Sequence, residues 1–323
     1  MLRRFRHEMA DGLVCGIEIG DPIRSIDALF LHATGFNAMT YQSLLGPLGL
    51  RARVAALDLR GHGRTSLPAK PPFASWGLYR NDVIDWLDKH APHGVVLGGH
   101  SMGGAVSLMV AGKRPDLVKA LVLSDPVIIE PSFYRARHIF PFVHRRLSLR
   151  KGLAADARRR RAEFQSRLEA RLSYESKAAF STWRDPFLQD YLLDGLHRID
   201  DNHPDGEDQT WRLTCEPKWE AATFNAQRNR PWGALSVVRK KGIPISVLVA
   251  DKGSVMTDKS IDRLARRVPH AKLRRVGGTT HFLPMEAPYA VRDEFSQYLS
   301  RLIEGFSMEE EGPVKRRLKG AAT

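Results

Sequence analysis

Residues 94–111 leave fewer choices of fold than any other part of this chain. An apolar run, Gly94-Val95-Val96-Leu97-Gly98, passes through Gly99-His100-Ser101-Met102-Gly103 into a stretch of small and apolar residues, Gly104-Ala105-Val106-Ser107-Leu108-Met109-Val110-Ala111. This pattern reads as a buried strand, a sharp turn and a helix, with Ser101 at the tip of the turn. Such a turn strains the serine backbone, and only glycines on either side leave room for the crossing chain. It exposes the hydroxyl at the edge of a sheet and sets the Met102 N–H at a helix N-terminus, where unpaired donors can receive negative charge. Ser101 is therefore the candidate nucleophile, and Met102 the first candidate oxyanion donor.

Strands and helices alternate around this turn. Residues 13–19, 28–31, 53–57, 95–97 and 119–124 read as strands, and residues 39–48 and 76–90 as helices. Strands alternating with helices predict a parallel sheet covered on both faces. The rhythm breaks after Pro126. Residues 129–235 show no strand pattern, only helical segments rich in Arg, Glu and Ala, with interleaved aromatics and the acidic turn Asp200-Asp201-Asn202-His203-Pro204-Asp205-Gly206. The rhythm returns with strands at 243–250 and 272–276 and helices at 260–268 and 289–304. The organisation expected is an α/β core at 1–128 and 236–305, an all-helical insertion at 129–235, and a mobile tail at 306–323.

Composition narrows the function classes. The chain has 323 residues, enough for one large domain, and no apolar stretch long enough to span a membrane. Its start, Met1-Leu2-Arg3-Arg4-Phe5-Arg6, is basic but leads into His7-Glu8-Met9-Ala10-Asp11-Gly12, which argues against a secretory leader. Two widely spaced cysteines, Cys15 and Cys215, give no disulfide framework and fit a reducing cytoplasm. The formal charge is +14, and residues 135–167 carry eleven Arg and Lys against two acids. That stretch reads first as a solvated helix surface. No zinc-finger, RNA-recognition or basic-heptad pattern accompanies it, so no nucleic-acid partner is expected.

A nucleophilic serine needs a base, and the base needs an orienting acid. Of twelve histidines, His281 stands in a loop, Gly277-Gly278-Thr279-Thr280-His281-Phe282-Leu283-Pro284, that leaves the last strand and can hang over the strand ends. Asp125 ends the strand that follows the serine's helix, on the edge where ligand groups gather in open parallel sheets. Asp251, one position past the strand ending at Ala250, is the alternative acid, and Asp258 follows it. The second oxyanion donor is expected from His32-Ala33-Thr34-Gly35-Phe36-Asn37, with Thr34 N–H chosen and Phe36 taken as a substrate contact. His32 reads as a brace for its own loop, and the glycine-bearing turn Asp58-Leu59-Arg60-Gly61-His62-Gly63 as architecture. His100 is placed in the pocket lining without a proton-transfer role.

These landmarks, in this order, resemble the α/β-hydrolase family in its branch with a helical cap, over residues 10–305. The resemblance implies a Ser–acid–His triad working without cofactor or metal, and a cap that selects a small-molecule acyl substrate, apolar or anionic. Two positions depart from the family pattern. Ala33 replaces the glycine usual after the loop histidine, and in Ala250-Asp251-Lys252-Gly253 the place of the usual acid falls on Gly253. Some relatives carry the acid after the preceding core strand, where Asp125 lies, and Asp125 is preferred for that reason. Members that form an alkyl-enzyme ester place an aspartate at the elbow, so Ser101 excludes dehalogenase and epoxide-hydrolase chemistry and leaves acyl transfer. The expected activity is carboxylic-ester hydrolysis. Thioesterase, lactonase, carbon–carbon bond hydrolase, acyltransferase and perhydrolase activity, or a binder that retained the fold, are the alternatives.

Overall fold

The structure is a computed structural model that describes residues 1–139, 152–199 and 210–310. Its strands are β1 (Leu2–Met9), β2 (Gly12–Ile19), β3 (Ala28–Leu31), β4 (Val54–Leu57), β5 (Val95–His100), β6 (Val118–Ser124), β7 (Glu163–Phe164), β8 (Leu196–Arg198), β9 (Trp211–Leu213), β10 (Ile245–Ala250) and β11 (Lys272–Val276). Eight of them form one sheet in the order β1-β2-β4-β3-β5-β6-β10-β11, antiparallel at β1–β2 and β2–β4 and parallel elsewhere. From β3 the chain moves to one side for β4 and then crosses to the other for β5. The crevice at that reversal lies between the loop after β3 and the turn after β5, where ligands bind in sheets of this kind.

Period-two alternation builds the two faces. Leu29, Leu31, Val95, Leu97, Leu121 and Leu123 join one apolar cluster; Phe30, Val96 and Val122 join the other. The first is closed by α1 (Gly77–His90), through Trp86, and by α2 (Met102–Lys113), through Val106. The second is closed by the C-terminal helix, whose Phe295 is fully buried. Each such side chain removed from water contributes about 1.5–3 kcal/mol.

Between β6 and β10 lie α3 (Pro131–Ile139), α4 (Leu153–Arg158), α5 (Arg167–Glu175), α6 (Phe187–Gly195), α7 (Pro217–Asn225) and α8 (Pro231–Lys241). The expectation of an all-helical insertion is corrected here. Strands β7, β9 and β8 pair antiparallel into a small sheet, each too short to show an alternation in sequence. The division at 235/236 falls inside α8. After β10 come α9 (Asp258–Arg267) and α10 (Pro288–Glu310), so residues 306–310, expected in the tail, continue a helix. Residues 311–323, the acidic turn at 200–206 and Arg145, Arg146, Arg150 and Lys151 of the basic stretch lie outside the described residues. The helix expected at 39–48 is a short α-turn between two 3₁₀ turns, interrupted where Gly46 and Pro47 stand. No helix among the described residues is long and apolar enough to cross a membrane.

Candidate active site

Ser101 sits between the end of β5 and the start of α2 with φ 55°. The space around it explains both glycines. A Cβ on Gly103 would lie 2.1 Å from the Leu31 carbonyl oxygen, and one on Gly99 would lie 2.5 Å from the Gly103 carbonyl carbon. Both clashes are with backbone, which cannot step aside. Met102 is the first residue of α2, so its N–H has no acceptor within the helix.

His281 reaches this turn from the loop after β11. Its Nε2 lies 2.9 Å from Ser101 Oγ and its Nδ1 2.6 Å from Asp125 Oδ2. Burial works to raise the Asp125 pKa, but hydrogen bonds from His281, Ser254 and the Ala250 N–H outweigh it and hold the carboxyl below its ordinary value. An ionised carboxylate only accepts, so Nδ1 carries the hydrogen and Nε2 is left to accept from the serine hydroxyl. Asp125 follows β6 at φ 40°, and Asp125 and Ser101 are the two non-glycine residues of positive φ among those described. Strain of this kind costs about 1–3 kcal/mol per residue and gathers where a site over-determines the backbone. The Asp125 N–H is tied to the Leu248 carbonyl at 2.7 Å, and its side chain accepts from Ala250 N–H, Ser254 Oγ and Val255 N–H.

The alternative acid is elsewhere. Asp251 is exposed, and its carboxylate accepts from Gly278 N–H at 3.1 Å, where it steadies the loop that carries His281. Gly253 stands where the usual acid would stand, with Ser254 beside it on Asp125.

The loop after β3 is braced from three sides. His32 donates from Nδ1 to the Ala33 carbonyl and accepts at Nε2 from Leu59 N–H; His62 accepts at Nε2 from Gly35 N–H. Ala33 N–H donates to Tyr41 Oη, and Phe36 N–H to the Ala33 carbonyl. Thr34 N–H is thereby the donor of this turn without an acceptor among the described residues. Its side-chain hydroxyl contacts Met102 Sδ at 3.4 Å, which ties the two oxyanion candidates together.

Thr34, Phe36, His100, Ser101 and His281 all border one cavity of about 570 Å³. The Phe36 ring meets Trp183 and Tyr191 edge-on, each at 5.5 Å. His100 borders the cavity, yet both ring nitrogens are taken by the protein, Nδ1 by Tyr41 Oη at 2.8 Å and Nε2 by the His281 carbonyl at 2.7 Å. Its polar atoms therefore hold the scaffold. Three contributors escaped the sequence reading: Tyr41, Ser254 and Glu286, the last accepting from both Thr280 N–H and Thr280 Oγ beside the base. No motif marks them.

Residues 28–294 match the alpha/beta hydrolase family. The chain belongs to that family. Among curated proteins, it is 44% identical over 77 residues to lipase LipV of Mycobacterium tuberculosis (strain ATCC 25618 / H37Rv), a match covering 23% of this chain and 28% of that one. It is 23% identical over 280 residues to the sn-1-specific diacylglycerol lipase ABHD11 of Mus musculus, covering 84% and 80%. Among solved structures, the thioesterase domain from the curacin biosynthetic pathway superposes with a TM-score of 0.72 at 17% identity, covering 92% of this chain and 99% of that one. The chain thus spans well under two thirds of the length of lipase LipV, and the structural likeness is one of fold.

Proposed function

We propose that this α/β hydrolase cleaves a carboxylic ester, or a related acyl bond, through an acyl-enzyme on Ser101. The observation that carries the reading is the continuous relay from Asp125 through His281 to Ser101, with the imidazole tautomer fixed by the carboxylate. Ser101 Oγ attacks the acyl carbonyl carbon while its proton passes to His281 Nε2, and the imidazolium is stabilised by Asp125. The carbonyl oxygen, now an anion, takes hydrogen bonds from Met102 and Thr34 N–H, each worth about 3 kcal/mol of transition-state stabilisation. The tetrahedral intermediate collapses, and the alcohol leaves with the proton from Nε2. Water then gives a proton to His281 and attacks the acyl-serine. The acid is released and Ser101 regains its proton.

Residues 129–235 act in this reading as the cap, closing the cavity and selecting the acyl substrate. The test is a fluorophosphonate probe together with short p-nitrophenyl esters. Labelling at Ser101, and turnover lost in Ser101→Ala, support the proposal. A folded protein that neither labels nor turns over is a binder, and a Ser101→Ala variant with undiminished turnover overturns the mechanism.

A further inference from the structure

The cavity beside Ser101 has two unlike walls. Val127, Ile129, Phe133 and Val255, from the segments that follow β6 and β10, make one side apolar. Farther along the same insertion that carries Ile129 and Phe133, Arg160, Glu220, Tyr174 and Lys177 make the other and meet one another. Arg160 is spoken for. Its Nη1 donates to Glu220 Oε2 at 2.7 Å, and its Nη2 to the hydroxyls of Tyr174 and Tyr191. This pair adjoins the oxyanion loop, since a Cβ on Gly35 would lie 2.5 Å from Glu220 Oε1. Asp156, also on the wall, is bonded to Arg159.

Lys177 is different. Its ammonium rests 4.4 Å from the centroid of the Tyr174 ring, the same ring whose hydroxyl Arg160 holds. No carboxylate among the described residues pairs with it, and the neighbouring Arg161 is bound to Glu169. With Arg160 paired to Glu220 and Asp156 to Arg159, the exposed Lys177 is the lining cation without an ion-pair partner among the described residues. We propose that this wall is a subsite for an anionic group of the substrate, a carboxylate that pairs with Lys177 while the scissile acyl carbonyl sits at Ser101. Desolvation, then the nearby Arg160 and Arg161 charges, lower the Lys177 pKa, and an anion bound beside it would act in the opposite direction. The substrate class is then an ester carrying a free carboxylate.

This inference rests on the hydrolase reading, so its test separates the two. The probes are mono-4-nitrophenyl glutarate and its methyl ester, which differ by one negative charge. The ratio of their kcat/KM values is expected to favour the charged ester about tenfold, mainly through KM, and to shrink in 0.5 M salt as the pair is screened (Debye length about 4 Å). Lys177→Met and Lys177→Gln should bring the ratio close to one, and Lys177→Arg should keep it. A wild-type ratio near one, or a ratio that survives Lys177→Met, overturns the subsite. In parallel, calorimetric titration of Ser101→Ala with monomethyl glutarate needs no turnover. Binding weakened about tenfold by Lys177→Met upholds the subsite even where neither ester is cleaved, a result that would reject the hydrolase reading alone. Binding indifferent to Lys177 rejects the subsite alone.

Discussion

Tyr41→Phe removes one oxygen and tests the brace behind the site. Tyr41 and His100 are fully buried. His100 Nε2 faces the His281 carbonyl at 2.7 Å, an acceptor, so Nε2 carries a hydrogen. Burial pulls the His100 pKa down to about 3, so the ring is neutral and Nδ1 must accept. Tyr41 Oη therefore donates to Nδ1 while accepting from Ala33 N–H at 3.2 Å. Deleting it strands two buried groups at once, an N–H beside Thr34 and a ring nitrogen beside Ser101. Each orphan costs about 1–3 kcal/mol, so the variant should lose about 2–6 kcal/mol in urea unfolding at pH 7.5. Turnover should fall with KM little changed, because the loop carrying one oxyanion donor and the carbonyl anchor of the base both loosen. The paired measurement is a double-mutant cycle with His100→Ala, where coupling above about 1 kcal/mol is expected for groups in contact. A loss below about 0.5 kcal/mol, or simple additivity, would refute the directional chain from Ala33 through Tyr41 and His100 to His281.

Two further tests address the acid and the buried imidazoles. Asp125→Asn should lower kcat by about 10³–10⁴-fold, because an amide donating to Nδ1 selects the wrong tautomer; Asp251→Asn should leave kcat within a few-fold, and steady-state assays on both variants would expose a reversed order. Burial lowers the pKa values of His62 and His100 from 6.5 to about 4 and about 3. The unfolded chain therefore binds protons first, and the stability these rings contribute is complete above pH 6.5 and lost as pH falls toward 4 and 3. At pH 5 the loss is about 2 kcal/mol for each ring. Urea midpoints at pH 7.5 and 5.0 check this, and a protein no less stable at pH 5 would mean that the rings are solvated.

What could be read from the sequence follows the range of the interactions involved. Strands β3, β5, β6 and β10 are mostly apolar runs because both faces of the sheet are covered, and the Ser101 turn is local in sequence. Strand β1 was missed because Arg3, Arg4 and Arg6 break its apolar pattern, as suits an edge strand that must not pair with another chain. Strands β7, β8 and β9 are two or three residues long, below the length at which a period shows. His281 and Asp125 are legible as candidates from their place at strand ends, and the choice of Asp125 over Asp251 rests on the family resemblance. Tyr41 and Ser254 could not be, since their roles depend on contacts 59 and 129 positions away, and a tyrosine or serine alone carries no signal. His100 was assigned to the pocket, yet what decides its role is that both nitrogens are occupied, a tertiary fact.

The position of the candidate acid is set by donors more than by sequence address. Strands β6 and β10 are parallel neighbours, with Ser124 paired to Leu248, so a residue just beyond β6 can place its carboxylate over the end of β10. Asp125 does this by taking a left-handed backbone, at a cost of about 1–3 kcal/mol. Four groups then donate to that carboxylate: Ala250 N–H, Ser254 Oγ, Val255 N–H and His281 Nδ1. Hydrogen bonds to a charged group contribute about 1.5–3 kcal/mol each, so any two offset the strain. Three of the four come from residues 250–255, the stretch that would otherwise bear the acid. Glycine at 253 is tolerable there because the charge those donors receive arrives from the neighbouring strand, where His281 Nδ1 meets it.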